Sequence, residues 1–396
     1  MAEERKEPFS ALNPSILGMV LMVVLVGMGE RMAERFLPLY LMALGGSSYS
    51  IGFLNAMTNL LNALYSFPGG WLSDKLGYKR ALTVFTLLSM CGYLIVIFVP
   101  CWQAVLVGAL FFISWSAISL PAVMSLVSKA VPKNKRTLGV TIHSLVRRFP
   151  MAFGPVCGGL MIKYYGTVQG VRFAFAAAFI LAGISLFVQD RFIKEKKPDD
   201  TSLHLRDSIK FIRGDLANLL ISDILIRFAE QIPYAFVVIW CVKNMGVTEP
   251  QFGYLTAIEM ATAVLIYLPV AYFADRFGKK PFVVITFGFF TIFPLAIYYS
   301  HSFELMILAF VIRGLKEFGE PTRKALIMDL APDHAKAATF GTYYLIRDVI
   351  VSIAALASAP LWNISPEANF FTAFGCGLIG MIYFAIFGKD VSVEKK

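Results

Sequence analysis

Between Gly29 and Pro38 the sequence reads GERMAERFLP, two glutamates and two arginines set between the apolar runs ILGMVLMVVLVGM and LYLMALGG. A charge at the centre of a bilayer costs roughly 2.5–3.5 kcal/mol on insertion scales. Four charges kept there need mutual pairing or a wet cavity. Carboxylates and guanidiniums at that depth can carry a proton, clamp a polar solute or brace neighbouring helices. At 100° per residue, Glu30, Arg31, Glu34 and Arg35 share one helical sector about 140° wide. The same chemistry recurs as Arg227 with Glu230, as Glu259, and as the i,i+4 pairs Arg313/Glu317 and Lys316/Glu320. Eight bases (Arg31, Arg35, Arg147, Arg148, Arg227, Arg313, Lys316 and Arg347) fall inside apolar spans, against eight acids (Glu30, Glu34, Asp223, Glu230, Glu259, Glu317, Glu320 and Asp348). Equal numbers suit pairing, and charges in lipid are expected to face the bundle interior. Glu30, Glu34 and Glu259 are the proton-carrying candidates; Arg31, Arg227, Glu230, Arg313 and Glu317 are the solute-binding candidates. Static bracing is the competing role for each of them.

The elements that must position these side chains are membrane helices. The 396 residues are 57% hydrophobic and only 16% charged, with a mean hydropathy of +0.67. Soluble domains carry about 25% charged residues, so this chain is a polytopic, all-α membrane protein. Twelve apolar spans are expected near 14–44, 49–72, 80–99, 102–128, 137–163, 170–189, 217–243, 249–274, 281–300, 303–328, 337–362 and 367–388. The polar segment 190–215 divides them into an N-terminal bundle, 1–189, and a C-terminal bundle, 216–396. Loops on the side of the termini hold 25 lysines and arginines, and the opposite loops hold three, Lys163, Arg172 and Lys243. That asymmetry puts both termini and the linker in the cytoplasm. It also accounts for the net charge of +10 without a nucleic-acid partner. The N-terminus lacks the basic start and small-residue cleavage site of a signal peptide. The five cysteines, Cys91, Cys101, Cys157, Cys241 and Cys376, form no CxxC pair and no metal-ligand spacing; neither metal nor cofactor is expected.

The two bundles read as copies. GGWLSDKLGYKR, 69–80, follows span 2, and VAYFADRFGKKP, 270–281, follows span 8. Asp74 and Gly77 fall on Asp275 and Gly278, Arg147 falls on Arg347, and Arg31-Met-Ala-Glu34 corresponds to Arg227-Phe-Ala-Glu230. Six-helix repeats are how many carriers build a central site between two rocking halves.

The stretch GWLSDKLGYKR resembles the signature of the major facilitator superfamily between helices 2 and 3. Gly70, Leu72, Asp74, Gly77, Lys79 and Arg80 fill it, and Tyr78 stands where a base is usual. Physically, Gly70 permits close packing, Asp74 can cap or pair at the membrane surface, and Gly77 permits a turn with positive φ. Span 5 contains GPVCGG, similar to the core of that family's antiporter motif: Gly154, Pro155, Gly158 and Gly159 match, with Pro150 in place of the first glycine. AERFLPLYL resembles part of the helix-1 signature of proton-coupled oligopeptide transporters through Glu34, Arg35 and Phe36, with Arg31 at the place of its first glutamate.

The resemblance implies twelve helices in two six-helix repeats, with helices 1, 4, 7 and 10 lining a central cavity. Span 4 offers only Ser114, Trp115, Ser116 and Ser119 to it. The expected activity is secondary transport: proton-coupled export of a small polar or charged organic solute or drug. The setting is a prokaryotic inner or plasma membrane, the form a monomer, and the partners are the solute, protons and lipid. The alternative is proton symport of peptides or other zwitterions. An intramembrane enzyme finds no HExxH, GxSxG or nucleotide loop; a non-transporting receptor on the same fold is the remaining class.

Overall fold

The structure, a computed structural model, describes residues 14–113, 115, 136–193, 209–332 and 336–390; within these, the side chains of 14–16, 66–75, 78, 136–145, 267–268, 270–277 and 336–338 are left undescribed. The described residues are helical, with no strand among them. The N-terminal group comprises α1 (Pro14–Glu34), α2 (Leu37–Ala43), α3 (Ser48–Leu76), α4 (Tyr78–Phe98), α5 (Trp102–Ile113) and α6 (Arg136–Phe192), whose two arms meet at Gly166 with φ 77°. The C-terminal group comprises α7 (Asp215–Tyr234), α8 (Val237–Ile239), α9 (Glu249–Phe277), α10 (Lys280–Tyr298), α11 (Phe303–Leu315), α12 (Glu320–Leu330), α13 (Lys336–Ile364) and α14 (Pro366–Phe387). Six stretches among the described residues are long and apolar enough to cross a membrane, α6 counting as one.

Among the described residues three expected spans are interrupted, and prolines explain the breaks. Span 1 breaks at Arg35–Phe36, because Pro38, in the first turn of α2, cannot donate to the Glu34 carbonyl four residues back and its ring crowds that oxygen. Pro321 stands in the same relation to Glu317, and span 10 breaks over 316–319. Span 7 breaks after Pro233 and Tyr234 and continues through α8 into a π-helical turn, Trp240–Asn244. The break in span 10 corrects one expectation. Arg313/Glu317 and Lys316/Glu320 do not pair along a helix; Arg313, Lys316 and Glu317 find partners on other elements, and Glu320 takes Arg323 and Lys324 of its own helix and Arg227 of α7.

The repeat is visible in the turns. Gly77 and Gly278 hold φ of 86° and 90°, a region that favours glycine, and a carboxylate from the end of the same group sits at each turn. In the N-terminal group, Lys79 Nζ donates to Asp190 Oδ1 at 2.9 Å. In the C-terminal group, the backbone N–H groups of Lys279 and Lys280 donate to Asp390 at 3.1 and 3.2 Å. Gly70, Asp74 and Asp275 fall in α3 and α9, but their surroundings lie outside the described residues.

The two groups pack together at the end remote from the linker. A Cβ on Gly52 of α3 would meet Ala359 of α13 at 2.8 Å, and one on Gly253 of α9 would meet the Pro155 carbonyl of α6 at 2.7 Å. Without a hydrophobic drive between helices in lipid, such contacts come from small residues that let backbones approach. Asn55 and Asn59 of α3 add hydrogen bonds of 3.1 Å each to Gln231 of α7, and Ser48 donates to Asn363.

Candidate functional site

The antiporter-like glycines of α6 position α1. A Cβ on Gly154 would lie 2.6 Å from that of Arg31, and one on Gly158 would overlap the Met32 carbonyl. Gly159 instead faces Glu249 and Pro250 of α9, the other group. These glycines therefore bring the charged end of α1 against α6 and α6 against the opposite group.

From that end of α1, Glu30, Arg31 and Glu34 line a cavity enclosed mainly by α1 to α6, about 740 Å³ with the solvent at its mouth included. Asn55, Thr58 and Asn62 of α3 add polar groups to the wall; Tyr93, Phe112 and Phe175 form its aromatic side, and Ala235 of the other group reaches its rim. The three rings pack as a triangle with centroids 5.3–5.8 Å apart. Arg31 is committed within the wall, donating to Glu34. Arg35, one residue past α1, leaves this cluster. Its guanidinium lies 3.9 Å from Glu259 of α9 and 5.2 Å over the Tyr234 ring.

Glu259, only 1% exposed, is shared by three cations from the ends of two helices: Arg313 at 3.4 Å and Lys316 at 3.6 Å at the end of α11, and Arg35 at 3.9 Å just past α1. None of these is a hydrogen bond, and both carboxylate oxygens lack one. The attraction is therefore coulombic and divided. Tyr234 lies under both guanidiniums, Arg313 being 5.7 Å from its centroid, and its π face screens two like charges that share one carboxylate.

The C-terminal group continues this as an unbroken chain of ion pairs. Lys316 donates to Glu230 at 2.7 Å, and Arg227 donates to Glu230 at 2.6 Å and lies 3.4 Å from Glu320. Arg323 pairs with Glu320 at 2.7 Å and with Asp223, which also takes Arg347 at 3.5 Å and the Tyr343 hydroxyl at 3.1 Å. Arg347 closes on Asp348 at 2.7 Å. Arg148 of α6 reaches Glu317 at 2.8 Å, a second ion pair between the groups.

The structure thus gathers Glu30, Arg31 and Glu34 at one cavity and Arg227, Glu230, Glu259 and Arg313 in one network, with Glu317 on the cross-group pair. Sequence reasoning missed Arg323, taken with the surface loops but 1% exposed. Its three-residue spacing from Glu320 is the signal that could have found it. It also missed the aromatic triangle, whose members come from three distant segments with no spacing in common. With Arg323 the buried set has nine bases, and Arg147 is the one that makes no ion pair among the described residues.

Against known proteins, the chain is 22% identical over 358 residues to an uncharacterised MFS-type transporter of Methanocaldococcus jannaschii, covering 87% of each. It is 22% identical over 380 residues to the multidrug resistance protein MdtG of Salmonella typhimurium, covering 91% of this chain and 90% of MdtG. Among solved structures, the nucleoside transporter NupG superposes with a TM-score of 0.81 at 12% identity, over 94% of this chain and 100% of NupG. A POT family transporter in complex with 5-aminolevulinic acid gives 0.77 at 13% identity, over 96% of both chains. At these identities the superpositions speak to fold alone, and the fold is the one the sequence led to expect. The Major Facilitator Superfamily profile itself matches residues 19–217 and 219–396, nearly the whole length in two consecutive halves, and the chain belongs to that family of membrane transporters.

Proposed function

We propose that the protein is a proton-coupled exporter, an antiporter that exchanges a small polar or charged organic solute or drug for protons by alternating access. The observation that carries this reading is the polar cavity at Glu30, Arg31 and Glu34, set beside the two ion pairs, Arg35–Glu259 and Arg148–Glu317, that tie one helix group to the other. A solute or proton arriving at the cavity changes the charge balance next to the pairs that hold the groups together. The likeness to MdtG, a protein named for multidrug resistance, supports export.

Of the three proton candidates, Glu30 and Glu34 line the cavity and Glu259 sits among three cations. We assign the proton to Glu30, the one of the cavity pair without a counterpart in the sequence repeat, where Ile226 stands at the matching position. Arg31 and Arg227, the matching arginines of the repeat, both contact the glutamate three residues on, which favours bracing over a symmetric clamp on the solute. The working unit is a monomer of two six-helix bundles, 1–189 and 216–396, joined by the linker 190–215, in a prokaryotic inner or plasma membrane with both termini cytoplasmic.

A second reading, proton symport of a peptide or other zwitterion, draws on the cavity wall, which presents carboxylates and a guanidinium together. Purified protein in vesicles with an imposed pH gradient separates the two. Solute moving against the proton flux supports exchange, and solute moving with it supports symport. Counterflow of no solute, under any gradient, refutes both.

A further inference from the structure

The closure between the groups passes through the wall of the cavity. Asn55 of α3 lines it beside Thr58 and Asn62. It is itself buried, and it sends an amide N–H across to the backbone carbonyl of Gln231 in α7, at 3.1 Å. The acceptor is available because α7 ends there. In an uninterrupted helix the Gln231 carbonyl would take the N–H of Ala235, four residues on. Ala235 instead turns its N–H to the Pro233 carbonyl, at the break after Tyr234. Carbonyls of a last helical turn are left to side chains or water. That of Ile232 takes Asn369 of α14, in its own group, at 3.3 Å; that of Gln231 takes Asn55 of the other group. Ala235 also lines the cavity, so a solute there meets both the donor of this bond and the chain break that frees its acceptor.

The neighbouring amide is fully used and that of Asn55 is not. Asn59 bonds the Asn55 carbonyl at 2.9 Å and Gln231 Oε1 at 3.1 Å, one for each of its two N–H groups. Asn55 keeps a second N–H and its Oδ1 without a hydrogen bond among the described residues. An amide presents two donors and an acceptor on one rigid plane. A polar group that bonds the unused side from the cavity therefore turns the side that holds Gln231. A buried carbonyl left without a donor is costly, and that cost favours a state in which water reaches it.

We propose that Asn55 is a positioning residue of the transport cycle, coupling occupancy of the N-terminal-group cavity to the closure at the end remote from the linker through the Gln231 carbonyl. The inference rests on the exporter reading, in which a loaded cavity must open toward that end. A solute that engages Asn55 withdraws the donor from Gln231, and separation of α3 from α7 lets water replace it. Gln231 adjoins Glu230, the residue that holds Lys316 and Arg227, so a shift of its carbonyl also reaches the ion-pair network of the C-terminal group.

A tethered occupant tests this on full-length protein in nanodiscs with the five native cysteines replaced by alanine. Thr58→Cys places a thiol in the cavity wall, one helical turn from Asn55, and N-ethylmaleimide then sets carbonyl acceptors beside that amide. Spin labels on p-acetylphenylalanine at Tyr49 of α3 and Ile364 of α13, exposed residues on the two sides of the seam, report its width by double electron–electron resonance. Alkylation is expected to raise the ratio of separated to closed molecules roughly tenfold. Asn55→Leu raises it without the reagent, and alkylation then adds nothing. Asn55→Asp, the same shape without the donor, follows the Leu variant. Gln231→Ala, which keeps the backbone carbonyl, moves the seam less than either. The inference is overturned if alkylation leaves the distance unchanged, if it widens the seam as much in Asn55→Leu, or if the Asn55 variants keep the wild-type distance. Should the Leu variant fail to fold, the alkylated parent and the Asp variant still decide. A seam that responds as expected in a protein that carries solute along with the proton flux removes the exporter reading and keeps the role of Asn55. Exchange of solute against protons with an unresponsive seam removes that role and keeps the exporter.

Discussion

Glu259→Gln is the sharpest perturbation of the buried network. At an effective dielectric of 20, a unit charge 3.4–3.9 Å away contributes on the order of 4–5 kcal/mol of gross attraction. Three such contacts do not add, because burial of all four groups opposes them. Lys316 also retains Glu230 at 2.7 Å. Arg35 and Arg313, however, have no second carboxylate within 4 Å among the described residues. Removing one partner of a buried pair costs about 3–5 kcal/mol, and the Gln variant should lose that much. For a chain of this size the loss lowers the melting temperature by roughly 4–6 °C, measurable by tryptophan fluorescence of the purified protein. Glu259→Gln combined with Arg313→Met should recover part of the loss, since one orphaned guanidinium is gone and an apolar side chain can pack against Phe293 and Phe310, the rings Arg313 now covers. A Gln variant that melts with the wild type, or a double variant that is simply additive, refutes the shared-carboxylate account. A stable Gln variant that has lost pH-driven transport would point instead to a Glu259 that is neutral at rest and carries the proton.

Glu30→Gln is expected to abolish transport driven by a pH gradient while counterflow of solute persists; a response to the gradient that survives in Glu30→Gln but not in Glu34→Gln moves the proton to Glu34. Arg227→Gln should destabilise more than Arg31→Gln, because Arg227 serves Glu230, Glu320 and Asp223 and Arg31 serves Glu34; equal melting temperatures contradict this, and unimpaired solute binding in both variants would leave them as braces. Gly253→Val places side-chain atoms against the Pro155 carbonyl, 2.7 Å from a bare Cβ, and should shift the carrier toward the state open at the end remote from the linker. Faster maleimide labelling of Cys157, kept as the sole cysteine, reports the shift, and unchanged labelling counts against that contact as the closed gate.

The chemistry was legible where residue type and local spacing define it. Glutamates and arginines at 30–35 and 227–230 declared charge that must pair or meet water, because lipid makes it costly otherwise, and Gly77 and Gly278 declared matching turns because glycine enters positive φ without strain. Partner choice was not legible. The i,i+4 spacing of Arg313 and Glu317 promised a local pair, but Pro321 ends the helix between them and each turns to a residue far along the chain, Glu259 and Arg148. Pro38 and Pro321 were in view as sequence; their effect on the Glu34 and Glu317 carbonyls follows from proline geometry and was the available clue. The aromatic side of the cavity lay beyond reach for a different reason, since a ring on an apolar helix face reads as lipid contact until the opposing helix is known.

The two helix groups satisfy the same need in opposite ways, and that difference says which charges are free to change partners. In the C-terminal group Asp223, Glu230, Glu259 and Glu320 each lie within 4 Å of two or three bases. Moving any one of those side chains strands several others in low dielectric, so the cluster resists piecemeal rearrangement and is expected to travel as one body. The N-terminal group holds Arg31–Glu34 as a single close pair at the edge of a cavity that Glu30 also lines, where one added charge falls beside few ion pairs. Arg35 and Arg148 stand between these regimes, each anchored to the N-terminal group and paired to a carboxylate of the other. Separation of the groups at mid-depth must break those two pairs. Glu259 can release Arg35 and still keep Arg313 and Lys316, whereas Glu317 has only Arg148 among the described residues. Breaking the Arg148–Glu317 pair therefore strips Glu317 of its base among the described residues, and Glu317→Gln is expected to ease separation of the groups where Arg35→Gln leaves Glu259 still neutralised.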